Sequence, residues 1–291
     1  MAITIGSNIS SLQAQRRLAV TSESLNGTFL KLSSGQRINK ASDDAAGLAI
    51  ADSLRANIRV SQVAVRNAND GISSIGIADA SLGDIGNVLQ RLAELAAQSS
   101  SGTFSVTQRS ALSNEFVALS SEIERIATTT EFNGVKLLSG NANLVLQVGF
   151  NSTSTSQINF AGVQGTLQAL GLAAAGSSAL TYSLNGYDAA TGGLAAGGSA
   201  SRTALDAING AIATLASNRG ILGAAESRLR VAISNLSISR ENLAAAESRI
   251  RDVDVAQEAA ELTRLNILQS AGASVLAQAN QAPALALQLL G

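Results

Sequence analysis

Asp43 and Asp44 stand side by side in the stretch SGQRINKASDDAAGLAIADSLRANIR at 34–59, with Arg37, Asn39 and Lys40 just before them. Adjacent carboxylates beside cationic groups are the residue types of a divalent-metal site or of general acid–base chemistry. A matching set, Arg249, Arg251, Asp252 and Asp254, lies in SRIRDVDVAQE at 248–258. The chain has no cysteine and no histidine. That removes thiolate nucleophiles, disulfides, Ser-His triads and nearly every zinc or haem site. It also removes the side chain that titrates unaided near neutrality. Any enzyme would have to run on carboxylates, Lys, Arg and hydroxyls. The same residues have a structural use: Ser42 is a good helix cap, and Asp43 and Asp44 in the first turn complement the helix dipole. The structural reading is the stronger, so no catalytic residue, metal or cofactor is expected.

The elements around this stretch have an unusual composition. Of 291 residues only 14% are charged and 3% aromatic, while 46% are apolar. Typical soluble domains carry about a quarter charged residues. Small, uncharged surfaces suit a protein whose flanks are covered by copies of itself, although an Ala-rich helical domain from a high-GC genome would look similar. The net charge of −1 gives no electrostatic case for nucleic acid or acidic lipid. No stretch reaches the length of a membrane span, and the first twenty residues lack the basic start and apolar core of a cleaved signal peptide.

Heptad spacing dominates both ends. Leu222, Leu229, Leu236, Leu243 and Ile250 fall seven apart, and Leu112, Phe116, Leu119, Ile123 and Ile126 alternate steps of four and three. Leu54, Ile58, Val65, Ala68, Ile72 and Ile75 continue into Leu82, Ile85, Leu89 and Leu92. One apolar stripe per helix calls for partner helices in a coiled-coil-like bundle. Gly71, Gly76, Gly83 and Gly86 interrupt a helix at a cost of roughly 1 kcal/mol each against Ala, so close packing at these positions is expected. SSSGT at 99–103 breaks the helix, and Thr107 is expected to cap the next.

The middle is different. Asn133-Gly134 is a strong turn dipeptide, and alternation through Leu144, Leu146, Val148 and Phe150, resuming at Ile158 and Phe160, predicts a β-hairpin near 142–160. The Gly-, Ala- and Ser-rich run at 171–201 is poor in large apolar residues and reads as an exposed excursion with one strand-like piece, LTYSLNGY. Both termini carry apolar helical faces, the last including Leu262, Leu265, Leu268, Leu285 and Leu289; Pro283 is expected to limit or kink that helix. The fold class is mainly α: long helices from both termini converge, with a β-hairpin and short β-rich excursion inserted between them.

SGQRINKASDDAAGLAIADSLRANIR, NANDGISS at 67–74, EFNGVKLL at 131–138, AAAESRIRDVDVAQEAAELTR at 244–264 and the closing QANQAPALALQLL together resemble bacterial flagellins. The resemblance covers roughly 1–140 and 202–291, with the variable central part of that family nearly missing. It implies a terminal filament-core domain of 1–42 plus 252–291, a helical core domain of 43–164 plus 202–251, and a reduced variable surface segment at 165–201. It implies that the opening stretch is the seam joining these two domains, with GQRINK as the connecting segment and SRIRDVDVAQE as its returning partner. Arg37, Lys40, Arg249 and Arg251 are expected to face Asp43, Asp44, Asp252 and Asp254 within or between subunits.

As function, the resemblance implies a subunit exported unfolded through the flagellar secretion channel and polymerised into the extracellular filament for swimming; the alternative is the hook–filament junction adaptor. It implies as partners further copies of the chain, an export chaperone, and the filament cap and junction proteins. Leu262, Leu265, Leu268, Leu285, Leu289 and Leu290 form the helix face expected to meet the chaperone and then the filament core. The chain ends are expected to be disordered before assembly. LQRLAELAAQ at 89–98 is similar to the segment read by the flagellin-sensing Toll-like receptor, which singles out Arg91, Leu95 and Glu115.

Overall fold

The computed structural model describes residues 8–140, 144–160, 163–184, 187–188, 193–194 and 198–288. Five helices carry the chain: α1 (Ile9–Ser34), α2 (Ala45–Ser100), α3 (Val106–Thr129), α4 (Ser199–Arg251) and α5 (Val255–Gln288). Three antiparallel ribbons lie between α3 and α4. They pair β1 (Glu131–Phe132) with β2 (Val135–Lys136), β3 (Leu144–Gln147) with β4 (Gln157–Phe160), and β5 (Tyr187–Asp188) with β6 (Gly193–Leu194). The fold is mainly α, with long helices packed together and a few small antiparallel strands. By compactness the chain divides into Met1–Ile58 with Glu241–Gly291, unit 1, and Arg59–Arg240, unit 2. The helix breaks lie elsewhere, at 35–44 and 252–254.

In unit 2 the heptad stripes become one core. Ala68, Ile75, Leu82, Ile85, Leu89 and Leu92 of α2 are buried with Phe116 and Ile123 of α3 and with Ile208, Leu215, Leu222 and Leu229 of α4. Each fully buried Leu or Ile contributes roughly 1.5–3 kcal/mol of transfer free energy. The four glycines from Gly71 to Gly86 divide into two kinds. A Cβ at Gly71 would overlap the Leu146 Cδ1 methyl and crowd Leu229, and one at Gly86 would meet Leu215 Cδ2 at 3.1 Å. Gly76 and Gly83 face open space, so close packing explains only two of the four.

Gly71 seats the β3–β4 hairpin. Leu146 occupies the space a side chain would take, and Asn67 Nδ2 donates to the Gln147 carbonyl at 3.1 Å. The register runs from Leu144↔Phe160 to Gln147↔Gln157, which is the hairpin the alternation predicts. The following segment departs from expectation. Leu167, Leu170, Leu172 and Leu184 are buried in the unit 2 core, although Leu172 and Leu184 lie in the run at 171–201 read as an exposed excursion. Glu124 on α3 accepts from the Leu167 amide at 3.0 Å, and Asn218 on α4 donates to the Gln164 carbonyl at 3.0 Å. A few well-placed leucines, tied by polar side chains to two helices, bury what average composition hides. Among the described residues of LTYSLNGY, Leu180 makes an isolated bridge to Ala173 and Tyr187 pairs with Leu194.

The cap of α3 is Ser105, not Thr107. Its hydroxyl accepts from the Gln108 amide while Gln108 Oε1 accepts from the Ser105 amide at 2.9 Å, a reciprocal capping box.

Candidate functional site

The seam forms where two helix pairs break. α1 ends after Ser34, and Gly35 takes the left-handed conformation at φ 70°, which glycine adopts without steric cost. The chain then runs antiparallel to the break between α4 and α5. Gln36 bridges Asp252, the Arg37 amide donates to the Arg251 carbonyl at 2.6 Å, and the Val253 amide donates to the Gly35 carbonyl at 3.1 Å. Arg37 Nη2 adds a bond to the Ile250 carbonyl at 2.7 Å. The seam is therefore a two-sided splice in which each break supplies backbone partners to the other.

Asp43 and Asp44 each close a different local structure. Asp43 Oδ2 accepts from the Lys40 amide at 2.9 Å and the Asn39 amide at 3.0 Å. Those two backbone bonds, Lys40 first, hold its carboxyl below the ordinary value, with Lys31 and Lys40 adding a weaker pull. Asp44, not Ser42, caps α2: its Oδ1 accepts from the Gly47 amide at 2.8 Å and its carbonyl from the Leu48 amide at 3.0 Å. A Cβ at Gly47 would overlap Asp44 Oδ2 and meet Ile38 Cδ1 at 2.9 Å, so glycine lets the cap and the buried Ile38 close together. Asp254 caps α5 in the same manner, accepting from the Ala256 amide at 2.9 Å and the Gln257 amide at 3.2 Å. All three carboxylates thus accept from backbone amides at a turn or a helix start.

Within one chain the charge pairing differs from the expected one. Among the described residues, none of Arg37, Lys40, Arg249 and Arg251 forms an ion pair with Asp43, Asp44, Asp252 or Asp254. Arg251 instead lies 3.6 Å from Asp52 and donates through Nε to Gln36 Oε1 at 3.0 Å, its side chain only 13% exposed. Arg55 approaches Glu247 at 4.0 Å. Asp43, Asp44 and Asp254 accept from backbone amides instead. Gln36 and Asp52 were missed because sequence spacing carries no signal for pairing across two hundred residues.

Beyond the seam, α1 packs against α5 in unit 1 through small and polar side chains. Asn8 caps α1, accepting from the Ser11 amide at 3.0 Å, and its Nδ2 donates to the Ala279 carbonyl at 2.7 Å. That carbonyl is free because Pro283, four residues on, has no N–H to give it. α5 continues through Pro283 as helix to Gln288, so proline neither ends it nor goes uncompensated. Ser11 donates to Asn280 at 2.7 Å, and Gln269 to Ser22 at 3.2 Å. Buried apolar side chains are scarce. Among the described residues of unit 1 they are Ile38, Ala51 and Leu265. Phe29 is 62% exposed and Ile267 63%, and Ile9, Leu12, Val20, Leu268 and Val275 are also exposed. Of the predicted α5 face, Leu265 is buried, Leu262 half-buried and Leu268 exposed. The Leu285 side chain, and Leu289 and Leu290 entirely, lie outside the described residues.

In unit 2, Arg91 meets Glu115 across α2 and α3, with Nη2 at 2.8 Å and Nε at 3.1 Å, and Glu94 at 2.9 Å. Hydrogen bonds to Glu94 and then Glu115 raise the affinity of the guanidinium for its proton. Leu95, singled out with them, is 1% exposed and part of the core. The steps from Leu89 to Leu92, Leu95 and Ala96 carry the signal that places it inside.

No described helix is long and apolar enough to cross a membrane. Residues 5–143 match the family described as the bacterial flagellin N-terminal helical region, and 205–290 match the bacterial flagellin C-terminal helical region. The flagellin of Halalkalibacterium halodurans is 43% identical over 287 residues, 98% of this chain and 99% of that one. Polar flagellin F of Vibrio parahaemolyticus is 47% identical over 140 residues, 48% of this chain but only 37% of that relative. Among solved structures, Bacillus cereus flagellin is 27% identical with a TM-score of 0.47, covering 62% of this chain and 94% of that one.

Proposed function

The chain belongs to the bacterial flagellin family, and from that premise we propose that it is the structural subunit of a flagellar filament, exported unfolded and polymerised outside the cell into a helical tube for swimming. The observation that carries this reading is the exposed apolar surface of α1 and α5, with Phe29 and Ile267 each more than half exposed. A pair of helices that buries so little of its own apolar surface gains stability when further copies cover it. The ordering cost of the chain ends is then met on assembly. In this reading 1–42 with 252–291 forms the filament-core domain, 43–164 with 202–251 the helical core domain, and 165–201 the reduced variable segment.

Seeded growth tests it. Purified chain added to filament seeds elongates them into long filaments visible by electron microscopy, and Phe29→Ser with Ile267→Ser abolishes growth while unit 2 keeps its unfolding transition. Seeds that stay short with the unaltered chain would contradict the filament reading and fit a junction adaptor.

Before export the α5 face around Leu262, Leu265 and Leu268 serves as a helix-in-groove ligand of a chaperone, and the cap and junction proteins are the remaining flagellar partners. The receptor reading is reduced to the accessible pair Arg91 and Glu115, since Leu95 acts through packing.

A further inference from the structure

The sequence contains four Asn-Gly pairs, at 26–27, 133–134, 185–186 and 209–210. An asparagine before glycine is open to one intramolecular reaction. The deprotonated glycine nitrogen attacks the asparagine Cγ, a new N–Cγ bond forms, and the side-chain nitrogen leaves as ammonia, giving a cyclic succinimide. Water then adds to either succinimide carbonyl and breaks one C–N bond, leaving aspartate or isoaspartate. Nothing is oxidised or reduced; the sum is asparagine plus water to an acid plus ammonia. Glycine favours the attack because it has no Cβ to obstruct the nitrogen and the most permissive backbone.

The folded chain treats these pairs unequally. Asn26 and Asn209 are exposed but lie inside α1 and α4. In each the following amide is committed to the helical ladder, and the helical ψ turns its nitrogen away from Cγ. Asn133 and Gly134 form the two-residue turn between Phe132 and Val135, at φ 51° and 77°, both exposed. Their ribbon has only two residue pairs and is anchored on the unit 2 core at its base by Phe132 and Leu137, so the exposed turn is the part that opens locally. Opening it frees the Asn133 backbone without unwinding a helix. Open space surrounds Gly134. Asn185-Gly186 spans residues of which Asn185 and Gly186 both lie outside the described set.

We infer that Asn133 is a site of spontaneous deamidation in the folded protein, selected from chemically equal pairs by the fold. The product has structural consequences. Aspartate tolerates the left-handed conformation and keeps the turn, but places a new carboxylate on the hairpin whose Lys136 already pairs with Glu131. Isoaspartate routes the main chain through an additional methylene and cannot hold a two-residue turn. The ribbon leads straight into Leu137 and Leu138, both buried, through the Leu137 amide bond to the Thr130 carbonyl at 3.1 Å. Isoaspartate at this position therefore loosens the edge of the unit 2 core.

The test is incubation of the full chain at mildly alkaline pH, native and in denaturant, followed by peptide mapping with mass spectrometry and isoaspartate labelling by methyl transfer. In the native chain Asn133 loses its amide at least about tenfold faster than Asn26 or Asn209, as expected for a local opening that costs less than helix unwinding. In denaturant the three rates converge, and the peptide carrying Asn185 is quantified separately. Native rates at Asn133 as low as those at Asn26 and Asn209 would overturn the inference, as would three equally fast native rates.

Discussion

At the scale of single residues, the physical outcome depends on what occupies the space a side chain points to. Gly71 and Gly83 are equally helical, yet one seats Leu146 and the other faces solvent. Gly71→Ala should destabilise unit 2 by about 1–3 kcal/mol through overpacking, whereas Gly83→Ala should stabilise it by roughly 0.5–1 kcal/mol through helix propensity. Denaturant unfolding of the two variants measures the opposed signs. Leu95 makes a similar point. Leu95→Ala should cost about 2–5 kcal/mol by leaving a core cavity, while Arg91→Ala, which removes only exposed ion pairs, should leave the unfolding midpoint nearly unchanged. A receptor assay on Leu95→Ala therefore reads folding, and the same unfolding curves separate the two effects. Asp43 carries the pH response of the seam. Its folded carboxyl is held below its ordinary value by backbone bonds, so its contribution is complete above the unfolded value of about 3.9 and lost as pH falls through the lower folded value. The Asn39 and Lys40 amide resonances should shift in that acidic window, and Asp43→Ala should remove the response.

At the scale of elements, helices were legible and their ends were less so. The stripe from Leu222 through Leu229 to Leu236 reads directly as a buried face because a 3.5-residue repeat has one structural meaning. The caps fell two residues away from where they were read, at Asp44 rather than Ser42 and Ser105 rather than Thr107. Several residues in each stretch are chemically able to cap, and backbone geometry chooses among them. The seam was legible as a break from its residue types, but its pairing was not. Gln36 accepts from the Arg251 side chain and bridges Asp252 through the backbone, long-range contacts that no local pattern encodes. The leucines of 167–184 were hidden by the small residues around them. Pro283 shows two elements solving one defect together: the carbonyl it leaves free on Ala279 is filled by Asn8. Asn8→Ala should lose about 0.5–2 kcal/mol of capping free energy and speed hydrogen exchange at the Ser11 amide, while Asn8→Asp should keep the cap and lose the bond to Ala279.

At the scale of the whole molecule, the two units differ in how far they are complete alone. Unit 2 has a continuous core drawn from α2, α3, α4 and the ribbons. Unit 1 joins α1 to α5 by hydroxyl and amide contacts and leaves Phe29, Ile267 and Val275 exposed. The proposed filament resolves that difference by supplying the missing surface from neighbouring copies. Amide hydrogen exchange on the full chain, free and after seeded growth, tests this most directly. The account predicts that α1 and α5 exchange rapidly in the free chain and become protected in the polymer, while the buried stretches of α2, α3 and α4 within unit 2 are protected in both. Terminal helices already protected in the free chain, or still exchanging rapidly in the polymer, would contradict it.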